Sequence, residues 1–201
     1  MRIGIDTDGV LTDMARCNYE YGKAYFHREP QNPNAYSAEE MFGFQLRNEL
    51  VFGITNYFKY CRNWLPRENC VEVIQKLNHE KHELYEITAR KFVTKKNPLG
   101  LYSRHLLLRW YKKHELSFQK IILCDEETAP EEKLAACQKF QIHIMIEDKP
   151  SVAKRLAENG VFVFLFDAPY NRDVHGNNII RVHSWKEIDE LLHHLELFNS
   201  L

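Results

Sequence analysis

Asp6 and Asp8 stand one residue apart in the run Ile5-Asp6-Thr7-Asp8-Gly9-Val10-Leu11-Thr12-Asp13. The short apolar run Arg2 to Ile5 leads into them. This pattern predicts a strand that ends at Asp6 and a tight turn that brings Asp8 over it. Two carboxylates that close repel each other unless a cation lies between them or one keeps a proton. Magnesium meets the first need, and a general acid uses the second. The pair therefore points to a metal site that handles phosphate. Asp also caps free N–H groups where strands give way to helices. An isolated D-x-D carries little weight for that reason, but the full D-x-D-G-V-L-T run at an N-terminal strand is far more specific.

A second acidic pair lies in Ile142-His-Ile-Met-Ile-Glu147-Asp148-Lys-Pro150. An alternating apolar strand delivers Glu147 and Asp148 to its carboxyl end, where Pro150 opens the next helix. Hard oxygen donors of this kind suit magnesium, which keeps several of its waters. Asp148 is the first choice as direct ligand, with Glu147 either ligating or orienting a water. A further strand closes on Glu86-Ile-Thr88-Ala89-Arg90. The Thr88 hydroxyl and the Ala89 backbone N–H suit a phosphate oxygen, and the Arg90 guanidinium suits a phosphate or substrate group. Lys133 falls in the first turn of a helix, where a cation opposes the helix dipole. Such a local conflict is expected of a side chain that serves a site.

The elements that must position these groups alternate. Strand-like runs cover Arg2 to Ile5, Glu83 to Thr88, Lys120 to Leu123, Ile142 to Ile146 and Val161 to Phe166. Helical patterns fall at about Glu68 to His79, Leu101 to His114, Pro130 to Phe140 and Ser151 to Asn159, with a last helix from about Trp185. Strands alternating with helices predict an α/β fold, a parallel sheet covered on both faces. In such sheets ligands sit beyond the carboxyl ends of the strands, so Asp6, Thr88 and Asp148 share one rim. Thr128-Ala-Pro-Glu131, Ser184-Trp-Lys-Glu187 and Ser37-Ala-Glu-Glu40 read as capping boxes. Residues 14–66 break the rhythm with a long aromatic stretch that reads as all-helical. This predicts a small helical cap inserted into a core made of 1–13 and 67–201. The aromatics Tyr19, Tyr21, Tyr25, Phe26, Phe42, Phe44, Tyr57, Phe58 and Trp64 read mostly as the cap's own core, with one or two left to stack on a substrate ring.

The 201 residues suit one domain with an insertion. A formal net charge of −1 provides no broad field for a nucleic-acid polymer. Five cysteines form no C-x-x-C, and an odd number argues against a full disulfide framework. No signal peptide and no membrane span is apparent, so a cytoplasmic home is expected. Ten histidines fall in no zinc-binding spacing; His79, His82, His193 and His194 read as solvated helix residues. A homodimer stays open.

In order, D-x-D-G-V-L-T-D, I-T-A-R, Lys133 and I-E-D-K-P resemble the four motifs of the haloacid dehalogenase-like (HAD) phosphohydrolases, over essentially the full chain. The helical insertion and the tail, Ala168-Pro-Tyr-Asn171 followed by Arg181-Val-His-Ser-Trp185, are most similar to the 5′(3′)-deoxyribonucleotidase-like group. The resemblance implies a Rossmann-like HAD core with a C1-type cap. It implies Asp6 as nucleophile and Asp8 as general acid and base. Thr88, Ala89, Arg90 and Lys133 would bind phosphate or substrate, and Asp6, Asp8, Glu147 and Asp148 would hold Mg2+. A small phosphomonoester, a nucleoside monophosphate first, is the implied substrate. Asp125 follows a strand, as the phosphorylated Asp of signalling receivers does, but the order of motifs fits HAD. Two other functions remain open: a HAD phosphatase for another phosphomonoester such as a sugar phosphate, and a non-catalytic phosphoryl- or nucleotide-binding regulator.

Overall fold

The computed structural model describes residues 1–43 and 46–199; Phe44, one of the expected cap aromatics, lies outside them. Six strands form one wholly parallel sheet: β1 (Arg2–Ile5), β2 (Glu83–Thr88), β3 (Lys120–Leu123), β4 (Ile144–Glu147), β5 (Phe162–Phe166) and β6 (Ile179–Val182). Their spatial order is β3-β2-β1-β4-β5-β6. The helices are α1 (Met14–Phe26), α2 (Ala38–Phe42), α3 (Leu46–Asn63), α4 (Cys70–His79), α5 (Pro98–Lys113), α6 (Ala129–Phe140), α7 (Pro150–Glu158) and α8 (Trp185–Asn199).

Strand periodicity explains the layers, because side chains of successive strand residues leave on opposite faces. Ile3 and Ile5 of β1 pack with Ile74, Leu107, Trp110 and Trp185, so α4, α5 and α8 cover one face. Ile87 and Met145 pack with Leu134, Cys137, Val152 and Leu156, so α6 and α7 cover the other. Central strands buried on both faces must be apolar nearly throughout, and Val163, Phe164 and Leu165 of β5 are wholly buried. Phe162 at its entrance is half-exposed, and β5 starts there rather than at Val161.

Register sets the rim. Ile5 pairs with Glu86 on one side and Ile146 on the other, and Thr88 pairs with Leu123. Asp6 continues β1 with its N–H on the Ile146 carbonyl at 3.0 Å. The chain then crosses into α1, which Asp13 caps by accepting from the Arg16 N–H at 3.0 Å.

The helices α1, α2 and α3 all fall between β1 and α4. Their aromatics make small cores. Phe26 stacks on Phe42, and Tyr21 meets Trp64 edge-on at 5.5 Å. The two joins of this segment lie side by side: Thr12 bridges Pro66, and the Arg67 N–H donates to the Leu11 carbonyl at 2.8 Å.

Four expectations are corrected in detail. The strand β6 adds an edge that the pattern did not announce. Thr128 makes no cap bond to the helix backbone; its hydroxyl donates to Glu132 at 2.6 Å instead. Ser184 does cap, but Glu187 reaches the His183 N–H rather than that of Ser184. His82 follows α4 and is buried beside the terminal amine of Met1, whereas His79, His193 and His194 are exposed. Ser37 and Glu40 form the full capping box.

Candidate active site

Asp6, Glu147 and Asp148 offer carboxylate oxygens within 4.8 Å of one another, all buried. Each leaves the carboxyl end of a neighbouring strand, β1 or β4. Lys133 reaches them from the first turn of α6. Its ammonium, 2% exposed, lies 2.8 Å from Asp6 Oδ1 and 2.7 Å from Glu147 Oε2. Burial works against that charge, but Asp6 and Glu147 outweigh it and hold the ammonium above its usual range. The contact to Asp6 is an ion pair rather than a well-directed hydrogen bond.

The two motif acids of β4 differ in what they touch. Glu147 is fully engaged: Oε2 takes Lys133, and Oε1 accepts the backbone N–H groups of Asp148 at 3.1 Å and Lys149 at 3.0 Å. Asp148 has Oδ2 on the Tyr170 hydroxyl and Oδ1 without a hydrogen-bond partner among the described residues. Its backbone carbonyl is held by Asn171 Nδ2 at 2.8 Å. Burial first, then the charges of Glu147 and Asp6, push the Asp148 carboxyl well above the ordinary range. Burial likewise pushes Asp6 up to about 7; Lys133 pulls against this, and Glu147 and Asp8 push with it.

An unpaired buried carboxylate oxygen is costly unless something completes it. The donor set fits a hard divalent cation, with three buried carboxylates offering oxygens within 4.8 Å of one another, and Gly9 makes room for the Asp148 carboxylate among them. Gly9 has φ of 93°, and a Cβ there would stand 1.9 Å from Asp148 Oδ2. Only glycine lets the loop pass so close to that acid.

Asp8 faces away from this cluster, toward a cavity of about 620 Å³. Its Oδ1 accepts the Tyr60 hydroxyl at 2.5 Å and Arg90 Nη2; Arg90 Nε lies 3.0 Å from both oxygens. Arg90 Nη1 is buried and makes no hydrogen bond within the described residues. The Arg90 guanidinium also lies over the Tyr60 ring, 5.2 Å from its centre. Thr88, wholly buried at the end of β2, has a hydroxyl with no hydrogen-bond partner among the described residues. Ala89 lines the cavity, along with Tyr36, Phe52, Asn56, Tyr57 and Phe92.

Beneath the loop, the Thr7 hydroxyl donates to Glu86 Oε1 at 2.5 Å and shares a hydrogen bond of 2.6 Å with Tyr111. Burial pushes the Glu86 carboxyl up to about 8. Arg67 ties the loop from the other side, with Nε on the Gly9 carbonyl at 3.0 Å.

The structure thus gathers Asp6, Lys133, Glu147 and Asp148 into one cluster and pairs Asp8 with Arg90. Tyr60, Tyr170, Arg67 and Glu86 also belong to the surroundings and carried no motif signal. Tyr170 lies inside the Ala168-Pro-Tyr-Asn171 tail, the one hint among them.

The parallel sheet with buried acids at its rim has the fold of the haloacid dehalogenase-like hydrolases. Residues 1–197 match the profile of the family described as 5′ nucleotidase, deoxy (pyrimidine), cytosolic type C, and the chain belongs to that family. A protein of Halalkalibacterium halodurans provisionally named a nucleotidase is 25% identical over 203 residues, covering 95% of this chain and 94% of the relative. The fold matches a HAD family hydrolase from Deinococcus radiodurans solved with phosphate and sodium, at 14% identity and a TM-score of 0.64, covering 98% of this chain and 96% of that one. It also matches a D,D-heptose 1,7-bisphosphate phosphatase from B. bronchiseptica complexed with magnesium and phosphate, at 12% identity and a TM-score of 0.56, covering 96% and 99%. Among the described residues, no helix is long and apolar enough to cross a membrane.

Proposed function

We propose that this chain is a magnesium-dependent nucleotidase that hydrolyses nucleoside monophosphates, deoxynucleotides first, through an aspartyl-phosphate. One observation carries the reading: Asp6 is buried against Lys133 at 2.8 Å, beside an Asp148 whose Oδ1 has no hydrogen-bond partner among the described residues. Asp6, the Asp8 carbonyl and Asp148 would hold the metal, with Glu147 behind them anchoring Lys133. When bound, magnesium supplies charge that offsets the repulsion between the carboxylates and a phosphate dianion.

The chain's own residues do the rest. Lys133 and the Thr88 hydroxyl, with the Ala89 N–H, take the non-bridging oxygens, and Arg90 Nη1 remains for a phosphate or substrate oxygen. An Asp6 oxygen attacks phosphorus and forms an O–P bond. The bond from phosphorus to the leaving oxygen breaks, and that oxygen keeps the electron pair and takes a proton from Asp8. Water then attacks the phosphorus, giving its proton to Asp8. The Asp6–phosphorus bond breaks, Asp6 regains its carboxylate, and inorganic phosphate leaves.

Residues 14–66 serve as the cap over a core of 1–13 and 67–201, with the paired joins at Thr12 and Pro66 as the pivot. Closure excludes bulk water. The aromatic lining of the cavity suits a flat base, and the buried Asn56 Nδ2, without a hydrogen-bond partner among the described residues, suits an acceptor on it. Five buried, free cysteines suit a reducing cytoplasm.

The test is phosphate release from a panel of nucleoside monophosphates and sugar phosphates, with and without magnesium, beside Asp6→Asn. Magnesium-dependent turnover of deoxynucleotides that disappears in Asp6→Asn is expected. Faster turnover of sugar phosphates would move the substrate, and none at all would leave a phosphoryl-binding role.

A further inference from the structure

Tyr60 belongs to a small core with Cys17, Cys61 and Leu106, yet its hydroxyl touches the group on which proton transfer depends. It lies on α3, in the segment between the two joins, and is 3% exposed. Its hydroxyl donates to Asp8 Oδ1 at 2.5 Å. A phenol has one proton; with that proton committed to Asp8, its oxygen accepts from the Thr12 hydroxyl, which shares its own single proton between Tyr60 and the Thr7 carbonyl. Thr12 is in turn fixed near the Thr7 carbonyl, 3.2 Å away, on the loop that carries both aspartates. Tyr60 therefore joins a cap helix to the catalytic loop through a buried chain of hydroxyls.

The chain of contacts distinguishes the two oxygens of Asp8. Oδ1 receives Tyr60, Arg90 Nη2 and Arg90 Nε, whereas Oδ2 receives Arg90 Nε alone at 3.0 Å. A carboxyl oxygen holding three donors has little capacity left for a reacting group. The other oxygen, with one donor, keeps a site for the proton that is transferred. Rotation of the carboxyl about its χ2 bond, otherwise soft, is stopped by contacts on both sides.

We propose that Tyr60 is the positioning residue for Asp8: it orients the carboxyl so that Oδ2 makes the proton transfer, and seating of the cap is what brings it there. This rests on the aspartyl-phosphate reading above. It makes closure of the cap and completion of the general acid one event, so an open enzyme does not waste the intermediate on a misdirected acid. Among the described residues the Tyr60 hydroxyl bonds to Thr12 and the Asp8 carboxylate and to none of Asp6, Glu147 and Asp148, so its effect falls on steps in which Asp8 moves a proton.

That confinement separates it from a merely structural residue. The p-nitrophenolate group leaves phosphorus near neutral pH without taking a proton, whereas a benzyl alkoxide needs one. Benzyl phosphate and p-nitrophenyl phosphate carry similar rings, so cavity contacts differ little between them. The parameter kcat/KM reports steps up to departure of the leaving group, which excludes the later hydrolysis of the intermediate. Tyr60→Phe is expected to lower the benzyl-to-nitrophenyl ratio of kcat/KM by roughly 10- to 100-fold, a part of the roughly 100- to 10,000-fold that general acid catalysis supplies, because Asp8 itself remains. An unchanged ratio, whether both substrates fall together or neither falls, would overturn the proposal. Thr12→Val removes the hydroxyl that supports Tyr60 from the far side; it is expected to shift the ratio the same way by a smaller factor, and it decides the matter if Tyr60→Phe does not fold. A wild-type enzyme that turns over neither ester, or an Asp6→Asn variant that turns over both, would overturn the underlying reading instead.

Discussion

The Lys133 ammonium lies 2.8 Å from Asp6 Oδ1, with both side chains almost sealed from water. The second carboxylate on Lys133, Glu147, is wholly buried and holds two backbone N–H groups with its other oxygen. Lys133 is therefore the cation that allows two acids to be buried at one rim.

Lys133→Met should cost stability as well as activity. Removing one member of a buried ion pair leaves the other uncompensated, which costs about 3–5 kcal/mol. The stranded carboxyls can escape that penalty by taking a proton, so the loss should be smaller at pH 5 than at pH 8. Urea denaturation at the two pH values checks this. A variant destabilised equally at both would mean that Asp6 does not depend on Lys133 for its charge.

Metal-free protein should lose stability as pH rises. The folded Asp6 carboxyl titrates at about 7 and Glu86 at about 8, both above their ordinary values of 3.8 and 4.5. Between those limits the unfolded chain has released protons that the folded chain still binds. Stability then falls with pH, by on the order of 1.4 kcal/mol per unit for each group. The loss begins near pH 4 and ends near pH 8. Asp148, also held well above its ordinary range, adds a loss of the same sign; magnesium favours ionised Asp6 and Asp148 and should remove their share, leaving that of Glu86. Glu86→Gln should remove the other. Urea midpoints at pH 5, 6.5 and 8, with magnesium or with a chelator, separate the two.

Gly9→Ala should disable the site without unfolding the sheet. The added Cβ would stand 1.9 Å from Asp148 Oδ2, and the φ of 93° is unfavourable for alanine. Either the loop or Asp148 must move, and both carry proposed metal ligands. A loss of turnover of roughly 100-fold or more is expected, since misplacing a reacting group by about 1 Å costs on that scale. The rise in melting temperature on adding magnesium should shrink with it. Full activity in Gly9→Ala would show that the loop does not need this closeness.

Much of this was legible in the chain because it depends on local pattern. Short runs rich in apolar residues marked β1, β2 and β3 to the residue. The adjacent pair Glu147-Asp148 was recognisable as one unit, but the difference between its members was not. Which acid faces Lys133 and which faces Tyr170 depends on the twist of the sheet and the return of the chain at residues 168–171. The edge strand β6 is short and only partly buried, so Ile179-Ile-Arg-Val182 lacks the unbroken apolar signature of β5. Tyr60 hid among the aromatics of residues 14–66. Only the folding of α3 back toward the loop sets it apart from Tyr57 or Phe58.

Thr88→Val offers the sharpest separation of function from stability. The Thr88 hydroxyl is buried at the end of β2 and makes no hydrogen bond within the described residues. A polar group left so in a core is a burden on folding. Valine matches its shape and removes the oxygen, so the variant should be as stable as the wild type or more so, by up to about 1 kcal/mol. If the hydroxyl is there to meet a phosphate oxygen, turnover and inhibition by inorganic phosphate should both weaken, by roughly 10- to 100-fold for a lost hydrogen bond to a charged group. Stability that holds or rises while phosphate binding falls would assign the hydroxyl to the substrate. Stability that falls with activity unchanged would assign it to packing, and the phosphate would then rest on Lys133, Arg90, the metal and backbone N–H groups.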